Sequence, residues 1–184
     1  MKRVMLLVVM ALAMMSATSF SLAAQELTAE EIAARLLLQK TRGLVIAPAD
    51  GTAATVAGEG TAVTPAEYVP LNADEQVNIR ISFEFDSAAL SASEKPKLQT
   101  MCEVMKSVDV NIFKIVGHTD ASGTAEYNQR LSKLRAEEVK RFMVEDCGVS
   151  GDRLQAVGVG EEFPVDAADP RSDQNRRVEF QALS

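Results

Sequence analysis

Tryptophan is absent, tyrosine occurs twice and histidine once, so aromatics make up only 5% of the 184 residues. A core must therefore rest on Val, Leu, Ile, Met, Ala and seven Phe. The lone histidine, His118, excludes the usual zinc sites built on two histidines. Positive charge is also in short supply: 19 Lys and Arg stand against 26 Asp and Glu, a formal charge of −7. That balance argues against nucleic acid as a partner, because neutralising phosphates takes a basic footprint. An anionic ligand would have to be captured locally and not by the global field. Cysteine is limited to Cys102 and Cys147, which are 45 residues apart, too far for the close pairs of zinc or redox motifs.

Long apolar runs occur once. In MKRVMLLVVMALAMMSATSFSLAAQ, Lys2 and Arg3 precede an apolar stretch from Val4 to Met15 that passes into small residues. The pattern predicts a secretory signal peptide over 1–23, cut after Ala23 or one residue later. The competing reading is a retained anchor, since Val4 to Ala24 carries no charge and is long enough to span a bilayer. No cysteine lies near the cut, so lipid attachment there is not expected. Export places the two cysteines in an oxidising compartment and favours a structural disulfide between them. Two separately buried thiols are the alternative.

Downstream of the leader, residues 24–45 form a short helical segment. Thr28 stands three before Glu31 in a capping-box pattern, and Ile32, Leu36 and Leu37 follow as apolar positions. Residues 46–73 read as a flexible linker rich in Ala, Thr, Gly, Val and Pro without sustained periodicity. Its GEG is too weak a signal for phosphate binding, and no motif calls for a metal or cofactor. From 74 to 184 the pattern is that of a compact domain. QVNIRISFEF alternates as a strand with one buried face, and Ser93 is placed to cap a helix through about Val108. NIFKIV is a second strand, a long helix runs from about Glu126 to Asp146, and RLQAVGVG and QNRRVEFQAL are further strands. The order predicts an α+β fold, a two-layer βαβαββ sandwich whose mixed sheet carries two helices on one face.

At roughly 100° per residue the long helix gathers Tyr127, Leu131, Leu134, Val139, Phe142, Met143 and Val144 into one arc. Gln129, Arg130, Lys133, Glu137 and Lys140 occupy the other side. Arg135 and Asn128 fall inside the apolar arc. A buried cation must find a carboxylate or open onto a wet pocket. Helical side chains lean toward the N-terminus, which carries Arg135 toward Asn128 and the loop holding Thr119 and Asp120. An acid at one point and a two-pronged cation at another suit a zwitterion, with a ligand ammonium on Asp120 and a ligand carboxylate on Arg135. The competing reading pairs Asp120 with Arg135 to pin the loop.

The ordered motifs FEFD, GHTDASGTAEYNQRLSKLRAEEVKRFM, RLQAVGVGEEFP and NRRVEF resemble the OmpA-like C-terminal domain, also found in Pal and flagellar MotB proteins, over about residues 76–182. The resemblance implies non-covalent binding of peptidoglycan through the diaminopimelate of its stem peptide, and no enzymatic activity. It implies ligand contacts at Asp86, Thr119, Asp120, Asn128, Arg135 and Arg176. For Asp86 and Arg176 a purely structural role stays open. The sequence departs from the larger family members in having no room for eight barrel strands before the domain, and from Pal in lacking a lipidated cysteine. A periplasmic binder is expected, with Leu36, Leu37 and Leu38 docking an envelope partner or packing on the domain itself. Two rivals remain: a membrane-tethered structural part of the MotB type, and a wall hydrolase using Glu84 with Asp86 or Asp120 with Glu126. For the latter no further motif supplies a nucleophile or metal. His118 is expected to hydrogen-bond within its loop.

Overall fold

A computed structural model describes residues 27–43, 68–84 and 87–183. The expected leader, the linker up to residue 67 and the candidate ligand contact Asp86 lie outside them. Helix α1 (Ala29–Gly43) opens on the anticipated capping box: the Thr28 backbone N–H donates to Glu31 Oε2 at 2.8 Å, and the Glu31 N–H donates back to Thr28 Oγ1 at 3.3 Å. Strand β1 (Val77–Ile79) and helix α2 (Lys95–Ser107) follow, then β2 (Phe113–Gly117), α3 (Ala125–Glu145), β3 (Leu154–Gly158) and β4 (Val178–Ala182).

The sheet order is β1-β4-β2-β3, with β2 and β3 parallel and β4 antiparallel to both β1 and β2. This is the expected α+β sandwich with a mixed sheet. Helices α2 and α3 bury Leu98, Met101, Met105, Val139 and Met143 against Phe113, Ile115, Ala156 and Phe180. Helix α1 joins the same core through Ile32 and Leu36. Arg35 and Gln39 donate to the main-chain carbonyls of Gln76 and Glu75 at 2.6 and 2.7 Å. The leading helix therefore packs on the domain, leaving Leu37 and Leu38 exposed. Cys102 and Cys147 are joined by a disulfide that ties α2 to the end of α3, their Cα atoms 5.5 Å apart.

Several expected boundaries move for identifiable reasons. The first strand pairs only over Val77–Ile79, because its partner β4 begins at Val178 and a 3₁₀ turn (Asp173–Asn175) lies before it. Ile81 stays buried beyond the ladder. Ser93 does not cap α2; Glu94 takes that position and makes no side-chain cap. Its carboxylate instead accepts from the Ser82 N–H and Lys97 Nζ. Helix α3 starts within one residue of the expected Glu126, capped by Thr124, whose hydroxyl accepts from the Tyr127 N–H.

The buried stripe of α3 is Asn128, Ser132, Arg135, Ala136, Val139, Phe142 and Met143, whereas Leu134 is 52% exposed. Two glycines rotate the helix this way. A Cβ on Gly117 would lie 2.1 Å from the Ser132 carbonyl oxygen, and one on Gly158 would lie 2.3 Å from the Lys133 nitrogen. The helix backbone thus rests directly on β2 and β3, which admits only small side chains at the contact. The polar side of α3 is not simply solvated either. Gln129, Lys133 and Lys140 donate to the carbonyls of Gly158, Ala156 and Leu154 along β3, at 2.6, 2.5 and 2.7 Å. Capping these outward carbonyls blunts a sheet edge.

Candidate functional site

The site forms where β2 ends and α3 begins. Gly117 lets the helix close onto the sheet, and the connection 118–124 is fixed at three main-chain points. His118 N–H donates to Arg177 O, Thr119 N–H to Gly160 O and Ala121 N–H to Pro170 O, at 3.0, 2.9 and 2.9 Å. Pro170 is itself held by Asn175. That side chain is fully buried, and its Nδ2 donates to the carbonyls of Asp166, Asp169 and Pro170 at 3.1 to 3.2 Å. The loop that delivers Arg176 is thereby built around one amide.

Asp120 is buried with its two oxygens engaged: Oδ1 accepts from the Ser122 N–H at 2.8 Å and Oδ2 from Arg176 NH1 at 2.7 Å. Burial pushes its carboxyl up, but the hydrogen bonds from Arg176 and Ser122 together outweigh it and hold the group below the usual aspartate range. Arg176 keeps a side chain that is 46% exposed. The salt bridge considered from sequence, Asp120 to Arg135, is not formed; Arg176 takes that place.

Arg135 is 7% exposed. Its guanidinium carbon stacks 4.7 Å from the centre of the Phe83 ring, and Nε donates to the Ser87 carbonyl at 3.2 Å. It forms no ion pair with any described carboxylate. Burial, and then the charge of Arg176, lower its pKa against the opposing pulls of Tyr127 and Asp120. An arginine so placed stays cationic. With Nε used on Ser87 and one face on Phe83, the remaining fork is what can meet a planar anion.

Asn128, 1% exposed, donates from Nδ2 to the Asp120 carbonyl at 3.2 Å and to Glu161 Oε2. Ser132, in the same buried row of α3, accepts from the Gly160 N–H at 2.9 Å and so anchors the loop bearing Glu161. Thr119 is buried, and its hydroxyl has no hydrogen-bond partner among the described residues. The structure therefore brings Thr119, Asp120, Asn128, Arg135 and Arg176 to one locality. Sequence reasoning missed Glu161, Ser132, Asn175 and the stacking role of Phe83. The small residues at Gly117 and Gly158 were a readable signal for Ser132, but nothing in EEFP says which of its two glutamates turns inward.

His118 does not bond within its loop. It sits behind the sheet, with Nε2 3.3 Å from Glu179 Oε2 on β4 and its ring edge-on to Tyr68 at 5.7 Å.

The OmpA family model matches residues 82–177, a span that contains every site residue named above. Peptidoglycan-associated lipoprotein of Pseudomonas putida is 36% identical over 137 residues, which cover 67% of this chain and 81% of that protein. Outer membrane porin F of Pseudomonas aeruginosa is 36% identical over 108 residues, 56% of this chain but only 30% of the porin's length. Among solved structures, the cell wall anchor of the T6SS from Pseudomonas aeruginosa is 29% identical, with a TM-score of 0.50 over 59% of this chain and 80% of that one. The OmpA-like domain of FopA1 from Francisella tularensis has the same fold, with a TM-score of 0.50 over 69% of this chain and 97% of that one, at 20% identity.

Proposed function

The chain belongs to the OmpA family, and we propose that it binds peptidoglycan non-covalently in the periplasm by holding the diaminopimelate of the stem peptide. The observation that carries this reading is Arg135: a buried cation, stacked and oriented, with no carboxylate partner of its own among the described residues. A ligand carboxylate received bidentately supplies the missing counter-charge, and the acidic loop at Asp120 receives the ammonium of the same zwitterion. Asn128 and Thr119 add polar contacts, and Arg176 shares Asp120 with the incoming group. The names of two relatives, a peptidoglycan-associated lipoprotein and a cell wall anchor, support the same assignment.

The chemistry also sets a specificity. Lysine in the stem peptide lacks the distal carboxylate and leaves Arg135 unanswered, at a cost of about 1.5–3 kcal/mol for a lost charge-assisted bond. The test is co-sedimentation of the protein with sacculi of the diaminopimelate type, with and without free diaminopimelate. Arg135→Ala is expected to lose at least about tenfold in affinity while its circular dichroism is unchanged. Full retention by the variant, or no competition by the free amino acid, overturns the reading.

A further inference from the structure

Resting on that reading, we propose that Glu161 is a positioning residue for ammonium recognition: its carboxylate fixes the Asn128 carboxamide so that the amide oxygen becomes an acceptor beside Asp120. Asn128 offers two N–H donors and one oxygen, and the two groups that meet Nδ2, the Asp120 carbonyl and the Glu161 carboxylate, only accept. They leave one orientation for the amide. Its oxygen then faces the 120–124 loop, 3.6 Å from where a Cβ of Gly123 would stand, a position kept clear because Gly123 adopts φ +103°.

Glu161 reaches Asn128 because of its own backbone. Gly160 turns at φ +57°, packs against the start of α3 near Gln129, and is tied by its N–H to Ser132. The half-buried Glu161 thus links the β3 loop to the β2–α3 loop through one amide. Its negative charge lies on the same amide that meets the Asp120 carbonyl, and so adds to the preference of that end of the site for a cation. The Arg135 end is untouched by this device. The consequence is selective: losing Glu161 weakens recognition of the ammonium and leaves recognition of the carboxylate.

The experiment uses the full chain as Glu161→Gln and Glu161→Ala, beside the wild type, with diaminopimelate and its N-acetylated form as calorimetric probes. In parallel, side-chain amide proton exchange of Asn128 is followed by NMR without ligand. We expect diaminopimelate affinity to fall about threefold to tenfold in Glu161→Ala and less in Glu161→Gln, which keeps an accepting oxygen. The acetylated probe should bind all three proteins alike, and the Asn128 amide protons should exchange faster in Glu161→Ala. An unchanged Asn128 amide, or equal losses for both probes, overturns the proposal. If wild-type protein fails to bind diaminopimelate at all, the function assigned above falls and takes with it the ligand that Glu161 would serve, a result distinct from selective loss in the variants.

Discussion

The two faces of the sheet differ in what they bury: the one away from the helices sets a charged network among Val116, Val157, Val159, Tyr68 and Phe163. The face under the helices is apolar: Leu36, Leu98, Met101, Met105, Phe113, Ile115 and Phe180 are fully enclosed there. On the other face Glu179 is fully buried in the middle of β4, surrounded by polar partners. Tyr68 OH donates to its Oε2 at 2.8 Å, Gln181 Nε2 to its Oε1 at 2.7 Å, and Arg177 NH2 stands 3.8 Å away. Tyr68 and the loop carrying Phe163 cover this network, with the two rings 4.7 Å apart. In an apolar layer a lost methylene costs about 1 kcal/mol and leaves no polar group without a partner. A buried carboxylate cannot lose its charge so cheaply: Tyr68 OH is left without its acceptor and the Arg177 cation without its neighbouring charge, although Gln181 Nε2 and Arg177 NH2 keep the carbonyls of Val69 and Phe163.

The strongest way to break that comparison is Glu179→Leu. Removing one member of a buried charged cluster is expected to cost about 3–5 kcal/mol, read as a fall in the urea midpoint with an unchanged slope. A variant as stable as the wild type would mean the polar face is an ornament on the apolar one. Next in size comes one of the two glycine contacts on the apolar face. Gly158→Ala drives a methyl into the α3 backbone, 2.3 Å from Lys133 N, where no flexible side chain can yield. We expect about 3 kcal/mol of destabilisation, and weaker sacculus binding because the start of α3 shifts with it.

The same comparison separates what was legible in the sequence from what was not. Periodicity found the helices and the strands, and it placed Arg135 and Asn128 on the inner side of α3, because a helix face is a local property. It misplaced Leu134, since the rotation of α3 is set by Gly117 and Gly158 on two other elements. It placed Lys133 and Lys140 on the side opposite the apolar arc, and could not show that their flexible stems carry the ammonium groups to the β3 edge. The alternation in VEFQA marks Glu179 and Gln181 as outward-facing, and nothing local announces that Tyr68, over a hundred residues earlier, closes that side. The pairing of Asp120 with Arg176 was hidden for the same reason. It depends on the loop organised by Asn175, whose contacts with Asp166, Asp169 and Pro170 follow no period.

The smallest effect sharpens the comparison most, because its sign depends on how the polar face carries its charge. His118 is enclosed beside Glu179, and burial, with Arg177 adding to it, holds the imidazole pKa below its ordinary value despite the opposing pull of Glu179. The folded protein then keeps His118 neutral while the unfolded chain takes up a proton near pH 6.5. More protons are bound in the unfolded state, so stability must fall as pH drops below that value, by at most about 1.4 kcal/mol per pH unit. Because the chain has one histidine, denaturant melts between pH 7.5 and 5.5 report this group above all others. His118→Gln should flatten the dependence. If His118 and Glu179 instead formed a charged pair, the folded pKa would be raised and stability would climb on acidification. A rise in the melting midpoint from pH 7.5 to 5.5 would therefore mean that Glu179 outweighs burial and Arg177 together, and that His118 meets Glu179 as an imidazolium and not as a neutral donor.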